Sequence, residues 1–315
     1  QQYAQIAIIF YGVFLIRDGE ISQGALIAAV ILGGRAMAPL GQLANVLSRA
    51  NNALSAYRSL SKLFRDGGSY QLGKNSISRG LLDGEIEFKD VSFQYDELSE
   101  KVIDSMNFKI PKGQKVAIVG KMGSGKSTIA KLLSHSISPT NGSVLLDGVD
   151  IRQLDSADLQ RNVGIMPQEP WLFSGTVREN LQVGFTEYSD DQILSIAKIG
   201  GVDEFVSQLP EGYDTILLEK GAGLSGGQKQ AISLSRALLH SPGIVVLDEP
   251  TSSMDQNSEK IVVERLYEYC KEKTLVIITH RNALLAICDR IIVMENGKII
   301  SDNTPEELGV KKLAI

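Results

Sequence analysis

The sequence has few cysteines and histidines and no excess of positive charge. Cys270 and Cys288 are the two cysteines among 315 residues, and they stand far apart without a CxxC spacing. Neither a disulfide framework nor a zinc site is indicated, and we expect reduced thiols. The three histidines argue against a histidine-rich metal centre. Because the net charge is −5, no nucleic-acid partner is expected.

Charge is also missing from the first 34 residues, except at one short turn. The apolar runs 3–16 and 21–34 flank a polar turn at 17–20. Each run is shorter than the ~20 apolar residues of a full membrane span. Two interpretations stay open: a buried hairpin of soluble helices, or a spanning second helix in which Arg35 faces protein or water. Because the chain starts with Gln rather than Met, we expect a piece of a longer protein.

The charges that flank the apolar runs indicate an orientation. The turn at 17–20 carries one base and two acids, whereas 49–66 carries four bases and one acid. By the positive-inside rule, the turn lies outside and everything after it lies in the cytoplasm. Apolar residues recur with helical spacing over 40–64, which predicts a long helix. The Gly-, Ser- and Asn-rich stretch 67–84 then predicts a linker.

After residue 84 the pattern changes to that of an α/β domain. Short apolar or alternating segments predict strands at 85–93, 115–120, 244–248, 275–279 and 290–294. Polar helical segments separate several of them. Buried strands that alternate with helices predict a sheet covered on both faces.

The segment after the predicted strand 115–120 matches the phosphate-binding pattern GxxxxGK[ST]. Its glycines let the backbone wrap a phosphate, and the following helix adds its positive end. Lys126 is expected to reach the β- and γ-phosphates, and the Ser127 hydroxyl to bind Mg²⁺. The predicted nucleotide-binding residues of this loop are Gly120, Gly123, Ser124, Gly125, Lys126, Ser127 and Thr128.

A second phosphate-related signal is the acidic pair at the end of strand 244–248. Asp248 at the tip of a buried strand is expected to hold Mg²⁺, and Glu249 to orient or deprotonate the attacking water. An exposed acidic pair at a strand end would be the structural alternative. Together with the phosphate loop, the pair predicts a P-loop nucleotidase.

The motif Leu-Ser-Gly-Gly-Gln at 224–228 is the signature of ATP-binding cassette (ABC) proteins, and residues 85–315 resemble that family. Tyr95 matches the aromatic residue that stacks on adenine, and Gln168 matches the glutamine that senses Mg²⁺. His280 matches the histidine that contacts the γ-phosphate, and Asp255 lies in the D-loop position. Taken singly, Tyr95 and His280 would more often be structural residues. Ser225 and the two glycines after it could equally form a simple helix cap and turn.

The resemblance implies a fold and a mechanism. The fold is an α/β P-loop ATPase cassette with a mixed sheet core and a helical signature subdomain. Two cassettes pair head to tail, so the expected partner is a second copy of the chain. Each ATP, with Mg²⁺, lies between one phosphate loop and the partner's signature helix. The expected catalytic residues are Glu249, His280 and Gln168, the metal ligands are Ser127, Gln168 and Asp248, and the signature contacts are Ser225, Gly226, Gly227 and Gln228.

The amino-terminal residues resemble the end of an exporter's membrane domain fused ahead of its cassette. This resemblance implies an α-helical end of a transmembrane domain at 1–66, a linker at 67–84 and a nucleotide-binding domain at 85–315. The final helix and the segments 217–239 and 248–255 resemble the type I secretion branch. Leu218 stands where multidrug and lipid exporters usually have glycine.

The type I resemblance implies a bacterial inner-membrane, multi-pass protein with a cytoplasmic ATPase domain. Its expected partners are membrane lipid, a periplasmic adaptor, an outer-membrane channel and an exported protein of the RTX toxin or adhesin class. An exporter of lipid, drug or peptide with the same ATPase domain is the first alternative. A DNA-repair or translation ATPase and a module that binds ATP without hydrolysis are further alternatives. The apolar hairpin disfavours the former, and the intact Lys126, Asp248, Glu249 and His280 disfavour the latter.

Overall fold

The chain forms two compact units, Gln1–Gln71 and Leu72–Ile315. The computed structural model describes residues 2–66, 77–96, 99–184 and 188–310. Most of the predicted linker, 67–76, therefore lies outside the described residues. The division of the chain at 66 and 84 stays a prediction.

The first unit is a helical hairpin made of α1 (Gln2–Arg17) and α2 (Gln23–Asp66). Gly12 is buried in α1, and a Cβ atom there would overlap the side chain of Leu26. This glycine therefore lets the two helices approach closely. The long helix predicted over 40–64 is present as the second half of α2. No helix in the described ranges is both long and apolar enough to cross a membrane, so the interpretation of α2 as a spanning helix is not confirmed.

The described part of the second unit contains three sheets. The largest has six strands: β3 (Lys115–Gly120), β6 (Val163–Met166), β9 (Ile244–Asp248), β10 (Thr274–Ile278), β11 (Arg290–Glu295) and β12 (Lys298–Asn303). Their order in the sheet is β12-β11-β3-β10-β9-β6, and all neighbours are parallel except the antiparallel pair β11/β12. An antiparallel sheet has the order β2-β1-β4-β5, with β1 (Ile86–Phe93), β2 (Ile103–Ile110), β4 (Asn141–Leu146) and β5 (Val149–Asp150). The third pairs β7 (Gly175–Thr176) with β8 (Ile216–Leu217).

Eight α-helices complete the described part of this unit. The helix that follows the phosphate loop and the helix that follows the signature motif are the ones that bear on the site. The helices are α3 (Lys126–Leu133), α4 (Ser156–Asn162), α5 (Val177–Leu181), α6 (Asp190–Gly200), α7 (Val202–Val206), α8 (Gly226–Leu239), α9 (Gln256–Tyr269) and α10 (Asn282–Leu285).

The large sheet is buried on both faces, as its apolar strands predict. Along β9, Val246 contributes to one hydrophobic core and Leu247 to the other, because neighbouring side chains of a strand point to opposite faces. The first core continues into the antiparallel sheet through Phe88, and the second continues into the helices through Ile232 of α8. This mixed-sheet cassette with a helical subdomain confirms the predicted fold class.

The end of the predicted linker is bonded to the cassette. The backbone NH of Ile77 donates to the carbonyl of Gln153. The side-chain amide of buried Asn162 accepts from the NH of Leu82 (2.8 Å) and donates to the carbonyl of Gly80 (2.9 Å). Residues 77–82 therefore belong structurally to the second unit.

Candidate active site

The parallel strands β3, β9 and β10 bring three functional segments to one edge of the sheet. Ile278 of β10 is in register with Ile118 of β3 and with Asp248 of β9. The phosphate loop follows β3, the acidic pair ends β9, and His280 follows β10. Carboxyl ends of parallel strands are where α/β folds place ligands. The topology therefore assembles the predicted site.

The phosphate loop has the backbone shape that its glycines permit. Gly123 and Gly125 have φ values of +80° and +95°, which residues with side chains rarely adopt. A Cβ atom on Gly125 would also lie only 2.7 Å from the carbonyl oxygen of Val102. Gly125 then caps α3, whose first residue is Lys126. The loop thus leads directly into a helix N-terminus, where backbone NH groups are free to bind an anion.

The ammonium group of Lys126 lies inside this loop. Its Nζ donates hydrogen bonds to the carbonyl oxygens of Gly120 (2.6 Å) and Lys121 (2.8 Å). Burial lowers the pKa of Lys126, and the negative charges of Asp248 and Glu249 oppose that change. A phosphate in the loop would meet a cation that the backbone carbonyls already position.

Asp248 and Ser127 offer a pair of oxygen ligands at the centre of the site. Burial raises the pKa of Asp248, and a hydrogen bond with Ser127 and the charge of Lys126 act in the opposite direction. No group of three or more metal-ligating His, Cys, Asp or Glu side chains occurs in the described ranges. A carboxylate and a hydroxyl nevertheless fit Mg²⁺, which prefers oxygen ligands and usually adds waters and substrate phosphates.

Glu249 and His280 lie next to each other at the same edge. The Oε1 atom of Glu249 is 3.9 Å from Nε2 of His280, and its Oε2 accepts a hydrogen bond from the Thr279 hydroxyl at 3.4 Å. Burial raises the pKa of Glu249, which the charge of His280 partly offsets. A carboxylate with a raised pKa is a better proton acceptor, as a general base requires.

These groups line one open cavity of about 550 Å³. Among the residues predicted from the sequence, its lining includes Gly123, Ser124, Gly125, Lys126, Ser127, Thr128, Gln168, Asp248, Glu249 and His280. Gln168, which is exposed, follows β6 and reaches the cavity from a neighbouring strand. Gly120, at the end of β3, holds Lys126 through its carbonyl.

Tyr95 is half-exposed and lies beside α3, next to Thr128 and Lys131. Its ring packs edge-on against Phe93 with centroids 4.9 Å apart, and its hydroxyl is 3.2 Å from Nζ of Lys131. Burial raises the pKa of Tyr95, but hydrogen bonds with Thr128 and Lys131 outweigh it and lower the value. Tyr95 does not line the cavity, so adenine stacking on its ring stays a prediction.

The signature motif lies at a different cavity. Ser225, Gly227, Gln228 and Asp255 line a pocket of about 250 Å³ beside α6 and α7. Ser225 caps α8 in a capping box with Gln228: the Ser225 Oγ accepts from the NH of Gln228 at 3.2 Å. Asp255 caps α9 by accepting from Asn257 and Ser258. Within one chain, the signature and the phosphate loop therefore do not form a common site, and the roles of both caps toward nucleotide stay predictions.

Two groups that no sequence motif marks also support the site. Thr279 donates to Glu249, and buried Gln230 of α8 bonds to the backbone of the segment that follows β9. Neither residue has a spacing that marks it out. Gln230 stands out only in the structure, where its side chain is 2% exposed, because a polar side chain that is so buried must have hydrogen-bond partners.

Comparisons with known proteins agree with this geometry. The family model described as ABC transporter matches residues 103–252. The chain is 36% identical over 308 residues to the leukotoxin translocation ATP-binding protein LktB of Mannheimia glucosida. It is 36% identical over 308 residues to the alpha-hemolysin translocation ATP-binding protein HlyB of Escherichia coli. Identity to the toxin RTX-I translocation ATP-binding protein of Actinobacillus pleuropneumoniae is 37% over 309 residues.

These alignments cover nearly all of this chain but less than half of each relative. They include 98% of the chain and 43% of the relative in all three cases. A solved structure of a bacterial Atm1-family ABC exporter with ATP bound superposes with a TM-score of 0.72 at 28% identity, covering 92% of this chain and 51% of that one. The second unit therefore contains the ABC transporter domain of that family, matched over residues 103–252, and the chain spans less than half the length of the relatives it matches.

Proposed function

We propose that the chain is the carboxy-terminal part of a bacterial inner-membrane ABC exporter that couples ATP hydrolysis to type I secretion of a large unfolded protein. Two kinds of support meet here. Lys126, Asp248, Glu249 and His280 surround one cavity, and relatives that match 98% of the chain are named for toxin translocation. The cavity is the observation that supports ATP hydrolysis. The names of the relatives support the secretion of a protein.

The residues of the cavity divide the chemistry among them. Lys126 and the NH groups at the start of α3 bind and orient the phosphates. Ser127 and Asp248 would hold Mg²⁺, with Gln168 close by, and the ion would supply charge neutralisation when bound. Glu249 takes the proton of the attacking water, and His280 lies where it can hold the γ-phosphate and the carboxylate of Glu249 together.

A second copy of the chain completes the site. The cap of α8 at Ser225 offers backbone donors and the positive end of a 14-residue helix. These donors face a cavity of their own rather than the phosphate loop of the same chain. Head-to-tail pairing would bring the signature of one copy to the nucleotide of the other, so that ATP holds the pair together and hydrolysis releases it.

The complete protein would be multi-pass, with lipid around its membrane helices and the cassette in the cytoplasm. A periplasmic adaptor and an outer-membrane channel would continue the export path. The RTX toxin or adhesin class is the proposed cargo. Leu218, which is exposed on the surface before the signature, is consistent with this branch rather than with multidrug or lipid exporters.

The experiment that tests this function compares secreted proteins. Lys126→Ala is introduced into the full-length gene in its own host, and the culture supernatant is analysed by mass spectrometry. Loss of one large extracellular or surface protein is expected, because the phosphates lose their cation. Lys89→Ala, at an exposed site on β1, is the matched control and should leave secretion unchanged. An unchanged profile with Lys126→Ala would contradict protein secretion and favour lipid, drug or peptide export.

A further inference from the structure

Gln230 is a buried amide in the first turns of α8, two residues after the signature motif. Its Nε2 donates to the backbone carbonyl of Glu249 at 3.2 Å and to the hydroxyl of Ser252 at 2.6 Å. Its Oε1 accepts from the backbone NH of Ser253 at 2.9 Å. All three hydrogen bonds reach the same short segment, 249–253. The function proposed above assigns this amide no role.

Segment 249–253 has a backbone that needs support. Glu249 has a φ of +50°, which costs free energy for a residue with a side chain and persists only where the surroundings impose it. A second support comes from the other side: Arg281 donates to the carbonyl of Ser252 at 2.7 Å and pairs with Glu259 at 3.0 Å. The main chain that carries the catalytic carboxylate is therefore held between Gln230 and Arg281.

The signature glycines bring α8 against this same segment. A Cβ atom on Gly227 would lie 3.0 Å from the carbonyl oxygen of Ser253, and one on Gly226 would lie 3.0 Å from the Cβ of Ser253. The absence of side chains at these two positions therefore permits a close approach within the chain. The start of α8 consequently packs directly against segment 249–253, and Gln230 makes the hydrogen bonds between them.

We propose that Gln230 is a positioning residue for ATP hydrolysis that fixes Glu249 relative to the signature end of α8. The inference rests on the proposed function. In the head-to-tail pair, Glu249 serves the nucleotide of its own chain and the α8 N-terminus serves the nucleotide of the partner. Gln230 joins the two through three hydrogen bonds, so that a nucleotide at the signature helps to hold Glu249 in place at the other site.

A role in folding alone makes a different prediction. A purely structural amide would lower stability when it is removed, and the remaining folded protein would turn over ATP normally. Asn162 provides the matched comparison, because it is also 2% exposed and also makes three hydrogen bonds. Its partners are the linker end and the carbonyl of Asp158, and it does not line the nucleotide cavity.

The test compares Gln230→Met with Asn162→Leu in the full chain, after wild type and Lys126→Ala have established ATPase activity. Both variants should lower the midpoint of thermal unfolding. Gln230→Met should lower kcat by about 10–100-fold, because a small displacement of a catalytic group is enough for such a loss. Its KM for ATP should stay within about threefold, since Lys126 and the phosphate loop are unchanged. Asn162→Leu should keep kcat within about twofold of wild type.

Two further variants guard against a folding defect in Gln230→Met. Ser252→Ala removes one of the three bonds and should lower kcat by about 2–10-fold, the value of one hydrogen bond. In Gln230→Glu, the protonated carboxyl can again donate and accept, so kcat relative to wild type should rise as the pH falls. The inference is overturned if folded Gln230→Met keeps wild-type kcat, or if Asn162→Leu loses as much. A wild-type protein without ATPase activity would instead refute the proposed function.

Discussion

The two units of this chain use apolar residues in opposite ways. In the hairpin of α1 and α2, Tyr3 is 90% exposed and Leu47 is 63% exposed. Among the described residues of this unit whose side chains are placed, only Gly12 is buried. In the cassette, alternating residues of the central strands fill two cores. The apolar residues of α1 and α2 therefore form no core of their own among the described residues, whereas patterned strands and amphipathic helices bury theirs.

The largest expected effect is on ATP turnover, which should depend on a substitution in the cassette and not on the same substitution in the hairpin. Glu249→Gln should lower ATP turnover by about 10²–10⁴-fold, since a positioned base is lost. ATP binding should survive, so that an ATP-bound dimer accumulates. The same substitution in the hairpin turn, Glu20→Gln, should leave turnover within about twofold. Steady-state ATPase assays and size-exclusion chromatography with ATP would measure both. Turnover of Glu249→Gln near wild type would remove Glu249 from its role.

Replacing one leucine by alanine in each unit tests the difference in packing. Leu238→Ala in α8, at a fully buried position, should lower the free energy of unfolding by about 2–5 kcal/mol. Leu47→Ala in α2 should change it by less than about 0.5 kcal/mol. Denaturant unfolding followed by the fluorescence of Trp171, the single tryptophan, reports on the cassette. Hydrogen exchange in α2 completes the comparison for Leu47. A large loss of protection there would show that Leu47 is packed.

The smallest expected effect is a displacement of the pH profile. Because burial raises the pKa of Glu249 above the ordinary 4.5, turnover should fall with acid at a higher pH than for an exposed glutamate. The base form is lost as the pH falls through this pKa. Thr279→Val removes a hydrogen bond that lowers the pKa, so the acid limb should move to still higher pH. A pH–kcat profile would measure both, and an unmoved limb would contradict the contribution of Thr279.

Local motifs were the easiest features to predict. Residues 120–128 could be predicted as a phosphate loop because glycine spacing, a preceding strand and a following helix determine their conformation locally. The strands at 115–120 and 244–248 have the predicted bounds, since short apolar runs between turns have few alternatives. Of the two interpretations of the apolar runs, the spanning second helix is not confirmed, because no helix of the described residues combines the length and the hydropathy of a membrane span.

Longer-range features could not be predicted. Nothing in the spacing shows that residues 77–82 are bonded to Asn162, or that the signature motif and the phosphate loop lie at separate cavities. Both depend on how distant segments pack. The same holds for Gln230, whose three partners lie about twenty residues further along the chain.

The amino-acid sequence was enough to indicate the family resemblance, the α/β cassette fold and the residues that are predicted to meet phosphate. These properties follow from residue chemistry and short-range backbone preference. Tertiary packing is what places Glu249 3.9 Å from His280, brings Ser127 within hydrogen-bond reach of Asp248 and connects Gln230 of α8 to segment 249–253. The reason is that the carboxyl ends of neighbouring parallel strands lie side by side, even where those strands are far apart in the chain.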